Sequence, residues 1–232
     1  MQMTFRRYIA RIIDLINMRK LFFFFVATLL LACSQLYAQN DTVKVEDDLL
    51  NSLLSDSANK QKLLPDRMMF TQRLLWGKQG LMRKFTAYEL TPEERTRELK
   101  IRRTMLICHQ VLGGITSLGM IGQGIVGSKL YNGDNSIKDM HGALAAGINI
   151  TYFSTAAMAL FAPPKMLNER KGYSSIKIHK WLAVIHLTSM LATNILADQI
   201  EENRNPQLRK WHKTAAYTLF GSFLAAQIVI EI

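Results

Sequence analysis

Cysteine is scarce in this 232-residue chain, which contains only Cys33 and Cys108. Two cysteines cannot build a disulfide-rich scaffold, and the absence of a C-x-x-C-H motif excludes a covalently attached c-type haem. The sequence also lacks H-E-x-x-H, a P-loop and G-x-S-x-G, and no paired carboxylate lies within an apolar stretch. Hydrolytic enzyme classes that depend on such motifs are therefore not supported.

Charge is missing from four long apolar stretches in the second half of the chain, at 104–127, 142–162, 181–197 and 214–230. Each stretch has between 17 and 24 residues. That is enough for a helix to cross about 30 Å of hydrocarbon, and helices in soluble cores are rarely so long without a charge. The pattern predicts an all-α polytopic membrane protein, with four spans in residues 104–232.

Basic residues give the chain a net charge of +11 and concentrate at the ends of the apolar stretches. In that position they are expected to contact lipid headgroups, so membrane lipid is a predicted partner and nucleic acid is not. They could also neutralise acidic groups on a cofactor.

The N-terminus has the build of a secretory signal. From Met18, a basic start is followed by an apolar run of about a dozen residues and a small residue at Ala38. We expect a signal peptide over 1–38, whose first 17 residues could be an upstream extension. The "LLAC" ending at Cys33 also resembles a lipoprotein signal. Export of the following segment predicts the bacterial inner (cytoplasmic) membrane as the location.

Two segments separate the signal from the spans. Residues 39–66 are polar without a strong period, which predicts a mobile exported segment. Residues 67–103 begin with Met, Phe, Leu and Trp mixed with basic residues, which indicates an amphipathic helix at the membrane interface or a helix packed on the bundle's end. Thr91, Pro92 and Glu94 form a capping-box signature, so a helix should start there and continue into the first span.

Short connections make consecutive spans antiparallel, which predicts an up-down four-helix bundle. Loops are expected at about 129–140, 163–177 and 198–210, and the prolines of "APPK" should end the second span. Entry from the exported side places the starts of the first and third spans on that side. Lys and Arg are denser in the loops that this orientation exports, which is opposite to the positive-inside rule.

A histidine opens each span. Antiparallel packing brings His109 together with His179 on one membrane side, and His141 together with His212 on the other. Two neutral imidazoles on facing helices are the axial ligands that a low-spin b-type haem needs, so the pattern predicts two b-type haems bound by these four histidines. His186, two turns after His179, could bond to a haem or quinone or substitute as a ligand, although an interhelical hydrogen bond is favoured.

A simpler interpretation has the four histidines snorkelling at the membrane interface. The helix faces below His109, His141 and His179 are rich in small residues, whereas the face below His212 is bulkier. Small residues leave space for a haem, but they equally let membrane helices pack closely. Small faces under paired histidines favour a cofactor, because polar groups at membrane depth are usually functional.

The motifs "CHQVLGG", "MHGALAAG", "IHKWLAVIH" and "WHKTAAY" resemble the span starts of the cytochrome b561 family, specifically its four-helix, four-histidine core. The resemblance covers roughly residues 102–232 and implies haem ligation by the two histidine pairs. It also implies transmembrane electron transfer from a cytoplasmic or membrane-held donor to an exported redox acceptor. Better-known members have six spans, so ascorbate chemistry is not carried over, and a quinol is the preferred donor for a bacterial-type member.

Two other functions fit the same sequence. A haem-free membrane anchor or scaffold could hold an exported complex through residues 39–103, with its histidines at the interface. A metal transporter is less supported, since only His186, Met190 and Asn194 come close to mid-membrane. If haem is bound, the protein is a redox carrier or an oxidoreductase subunit.

Overall fold

The computed structural model describes residues 63–165, 174–203 and 205–231, and within these ranges it contains helices and no strand. The expected signal peptide and residues 39–62 lie outside the described part of the chain. The elements, in chain order, are α1 (Phe70–Trp76), 3-10 turns at Leu81–Lys84 and Thr86–Tyr88, α2 (Pro92–Tyr131), a 3-10 turn at Asn135–Ile137, α3 (Lys138–Phe161), α4 (Ser175–Asn203) and α5 (Pro206–Glu231).

The four long helices contain the four expected spans, and each is long and apolar enough to cross a membrane. Many large apolar side chains on them are exposed, among them Leu118, Ile125 and Trp181. Such surfaces are expected of helices that face lipid, where apolar groups need no protein cover. The all-helical prediction is confirmed for the described residues, and four helices long and apolar enough to span a membrane agree with the polytopic assignment. The signal peptide and the orientation across the membrane stay predictions.

Thr91 starts α2 as the sequence predicts. Its side-chain oxygen accepts a hydrogen bond from the Glu94 N–H at 3.3 Å, and Pro92 takes the first helical position, where a missing N–H is harmless. From there α2 runs for 40 residues to Tyr131 without a break. At 1.5 Å per residue its length is about 60 Å, so it extends well beyond a hydrocarbon core about 30 Å thick.

The prediction of a loop at 198–210 is wrong, because α4 continues to Asn203 and α5 begins at Pro206. The apolar part of α4 ends where charged residues begin, but a charged side chain does not by itself end a helix. The boundary is set instead by Asn205, whose side-chain oxygen accepts from the Gln207 N–H at 2.9 Å, and by the proline at the first position of α5. The last two helices therefore form a tight hairpin.

The long helices form two antiparallel hairpins, α2 with α3 and α4 with α5. Backbone contact is close within each hairpin and sparse between them. Side chains bridge the gap: the amides of Asn149 (α3) and Asn194 (α4) bond to each other at 2.8 and 3.1 Å. On the other side, the Gln227 amide (α5) donates to Ser117 Oγ of α2 at 2.8 Å. The buried core between the hairpins consists of Met120, Ile148, Tyr152, Met190, Leu219 and Phe223.

Helix α1 packs on the end of the bundle where the prolines stop α3. The last carbonyls of a helix have no partner within it and need donors from elsewhere. Three α1 side chains supply them, Thr71 to Leu160 O (2.7 Å), Gln72 to Ala162 O (3.2 Å) and Trp76 to Phe161 O (2.9 Å). Of the two expectations for residues 67–103, a helix packed on the bundle's end matches these contacts.

A buried ion cluster fixes the same end of the bundle. The Glu98 side chain has no exposed surface, and its carboxylate binds the guanidinium groups of both Arg83 and Arg95. Arg95 also donates to the backbone carbonyls of Leu63 (2.9 Å) and Pro164. The cluster therefore ties the start of α2 to the turn before it and to the chain that follows α3.

Candidate functional site: two histidine pairs

Two pairs of histidines face each other across the bundle, and they are the pairs that antiparallel packing predicts. The ring centroids of His109 (α2) and His179 (α4) are 6.2 Å apart, with the ring planes inclined by 74°. Those of His141 (α3) and His212 (α5) are 6.4 Å apart, inclined by 63°. Each pair takes one helix from each hairpin, so both pairs span the sparse region between the hairpins.

The two pairs lie at different levels of the bundle. His109 contacts the backbone of Thr155, near the end of α3, whereas His141 lies near the start of the same helix. At 1.5 Å per residue, the chain between 141 and 155 corresponds to about 21 Å along the helix axis. The two pairs therefore lie near opposite ends of the four-helix bundle.

Three of the four rings are held by a hydrogen bond from Nδ1 to a backbone carbonyl. The distances are 2.9 Å for His109 to Thr155 O, 2.8 Å for His179 to Ala226 O and 3.0 Å for His212 to Thr193 O. A carbonyl can only accept, so each ring carries its proton on Nδ1 and keeps the lone pair of Nε2. Metal-bound histidines in proteins are oriented by the same kind of bond.

Each of these carbonyls belongs to the other helix of the histidine's own hairpin. His109 and its acceptor lie on α2 and α3, while the acceptors of His179 and His212 lie on α5 and α4. Each hairpin thus orients its own rings, and the rings meet their partners across the gap. The arrangement leaves Nε2 as the nitrogen available to a shared ligand.

The spacing within each pair suits two imidazoles on one metal ion. Metal–imidazole bonds are about 2.0–2.1 Å long and the ring centre lies about 1.1 Å behind the nitrogen, which gives about 6.3 Å between centroids. The observed values are 6.2 and 6.4 Å. A haem iron takes four ligands from the porphyrin and needs only two axial side chains. The residues present at both levels fit a b-type haem.

His141 is the exception among the four. Its Nδ1 is buried and has no hydrogen-bond partner among the described residues. Its Nε2 lies 3.3 Å from the amide nitrogen of Gln123 on α2, which also donates to the His141 carbonyl at 3.1 Å. The ring sits against Gly127, where a Cβ would come within 3.1 Å of its Cε1. Glycine at this position therefore makes room for the imidazole.

His186 lies on α4 midway between the two pairs, seven residues after His179 and seven before Thr193. Its Nδ1 is 2.7 Å from the hydroxyl of Tyr152 on α3, and its ring centroid is 5.2 Å from that of Phe223. The interhelical hydrogen bond that the sequence favours is thus present. In the described structure His186 joins the hairpins at mid-height, between the levels of the two pairs.

Neither the contact of Gln123 with His141 nor that of Tyr152 with His186 was predicted from the sequence. Gln123 is one of a few amides inside the apolar stretches, and polar groups at membrane depth often mark a site, so a signal was present. The carbonyl acceptors of Thr155, Thr193 and Ala226 carry no signal at all, because every residue has a carbonyl. Only the packing of α2 on α3 and of α4 on α5 selects them.

Residues 63–165, 174–203 and 205–231 contain no group of three or more His, Cys, Asp or Glu side chains that could hold a metal ion. No protein-family model, curated protein or solved structure matches the chain. The resemblance to the cytochrome b561 family accordingly rests on the histidine motifs, and the function is argued from the site.

Proposed function

We propose that this protein transfers electrons across a membrane through two b-type haems, one bound by His109 and His179 and the other by His141 and His212. The observation that carries the proposal is the ring spacing of 6.2 and 6.4 Å in two separate pairs. A haem held by each pair would supply one-electron chemistry, with its iron alternating between Fe(III) and Fe(II). The four-histidine core resembles that of the cytochrome b561 family.

Hydrogen bonds and apolar packing within the protein suit the imidazole rings to haem binding. Hydrogen bonds from Nδ1 hold three of the imidazoles in the tautomer that offers Nε2 to a metal. Apolar side chains such as Met120, Ile148 and Leu219 fill the region between the pairs and exclude water from it. A dry, apolar surrounding is one of the means by which a protein sets the reduction potential of a haem.

We further propose that electrons pass from a quinol or another cytoplasmic-side donor to an exported redox acceptor, in a bacterial inner membrane. The separation of the pairs, about 21 Å along α3, supports a path between the two faces of a bilayer. The protein would act as a redox carrier or as the membrane subunit of an oxidoreductase. A haem-free anchor for an exported complex is the alternative that the test must separate from it.

The test is a dithionite-reduced minus oxidised visible spectrum of the purified full-length protein, produced with an adequate haem supply. We expect a b-type α-band with two haems per chain. His109→Ala and His141→Ala should each remove one haem, and the double variant should remove both. His186→Phe is the matched control, since this histidine bonds to Tyr152 and belongs to neither pair; it should keep two haems.

A featureless spectrum from a protein with intact helicity would overturn the proposal. The histidines would then be interfacial residues of a membrane scaffold. Loss of both haems in the His186→Phe variant would instead show that the two pairs are not the ligand sets.

A further inference from the structure

We propose that the two haem sites fill in a fixed order, His109–His179 before His141–His212, because Gln123 occupies the ligating nitrogen of His141. This inference rests on the proposed function, since it concerns how the same two pairs take up haem. An amide nitrogen can only donate a hydrogen bond, so the His141 Nε2 that lies 3.3 Å from it is the acceptor. The lone pair that an iron would use is therefore engaged, and the bond must break before His141 can bind.

The other ring nitrogen of His141 gives a second reason to expect weaker haem binding at this site. With Nε2 as acceptor, the ring proton is on Nδ1, and this nitrogen is buried without an acceptor among the described residues. His109, His179 and His212 each have a carbonyl there. Loss of such an outer partner typically weakens metal binding by about 10–100-fold. The His141–His212 site should therefore bind haem about 10–100-fold more weakly than the other site.

The position of Gln123 makes its role separable from that of the histidines. The same amide nitrogen donates to the His141 carbonyl at 3.1 Å, which holds the side chain next to the ring, while its amide oxygen is buried without a partner. Methionine has a similar length and no N–H. Gln123→Met should thus free the lone pair of His141 and raise the haem affinity of this site about two- to tenfold, the range expected for loss of one competing hydrogen bond.

The experiment is a hemin titration of full-length protein made in haem-deficient cells, followed by Soret absorbance. His179→Ala isolates the His141–His212 site, and His212→Ala isolates the His109–His179 site. The affinities of the two sites are compared first, and Gln123→Met is then measured in the His179→Ala background. Gln227→Met is the control, because that amide bonds to Gly113 and Ser117 and to no histidine; it should leave the affinity of the isolated site unchanged.

The outcomes distinguish this inference from the proposed function. If the unaltered protein binds no hemin at either pair, the proposed function fails and the order of filling fails with it. If both pairs bind hemin with equal affinity, or if Gln123→Met weakens the His141–His212 site, the proposed function stands and the inference is overturned. In the latter case the amide would support the ligand and not compete for it.

Discussion

Glu98 offers the sharpest test of what holds the bundle's end together. Its side chain is fully buried, and it is the carboxylate that faces both Arg83 and Arg95, whose side chains are 8% and 1% exposed. Glu98→Gln keeps the size of the side chain but removes the carboxylate charge that faces both buried guanidinium groups. Removing one partner from a buried ion pair typically destabilises a protein by about 3–5 kcal/mol, and we expect a loss in this range.

Trp76 provides the assay. It is 5% exposed and its indole N–H donates to Phe161 O at 2.9 Å, whereas Trp181 and Trp211 are mostly exposed. In a Trp181→Phe, Trp211→Phe background, tryptophan fluorescence reports the packing of α1 on the end of α3. Denaturant titration in detergent micelles then gives the free energy of detaching this segment, with and without Glu98→Gln.

Glu201→Gln is the matched control. Glu201 pairs with Lys138 at 3.2 Å, but both side chains are more than 60% exposed. Exposed pairs of this kind contribute about 0–1 kcal/mol. If Glu98→Gln were to cost no more than Glu201→Gln, the buried cluster would not be what fixes the segment, and the reasoning would be refuted.

Two further predictions concern packing at the site and at the membrane surface. Gly127→Ala should push the His141 ring aside, because a Cβ would lie 3.1 Å from its Cε1, and the haem content should fall from two towards one per chain. Gly124→Ala is the control, since a Cβ there meets nothing within 4 Å, and it should keep two haems per chain. Phe70 and Leu74 are 79% and 51% exposed, one turn apart on α1. In vesicles and in the Trp181→Phe, Trp211→Phe background, a Phe70→Trp variant should show fluorescence that lipids brominated in their acyl chains quench more than they quench the background. The absence of this added quenching would place α1 outside the lipid interface.

The presence of four long helices and the facing of the histidines in two pairs could be predicted from the sequence. Long apolar stretches without charge predict membrane spans, and Thr91 followed by Pro92 indicates a helix start by local chemistry alone. Antiparallel order then fixes which span openings share a side, so the partners of His109 and His141 follow from chain order without any knowledge of packing. Such features are local, or depend only on the topology, and can be derived from one sequence.

The remaining features depend on which surfaces meet. Arg83 and Glu98 are 15 residues apart and belong to different elements, and nothing in the spacing indicates that they form one buried cluster. The end of α4 was misplaced because polar residues can lie in a helix that has already left the membrane. The contact of Gln123 with His141 requires the register of α2 against α3, which a single sequence does not specify.

Substitutions that remove a hydrogen bond within a hairpin and those that remove a bond between the hairpins should have different effects on the two histidine pairs. The Nδ1 bonds lie within a hairpin, so a change at one of them alters the orientation of a single ring. The bonds between Asn149 and Asn194 and between Tyr152 and His186 cross from one hairpin to the other. Because backbone contact between the hairpins is sparse, these side chains help to set the distance between the rings of both pairs. Several such bonds cross between the hairpins, including that of Gln227 with Ser117, so loss of a single one should leave both pairs in place. Loss of an Nδ1 bond, in contrast, should alter the orientation of one ring.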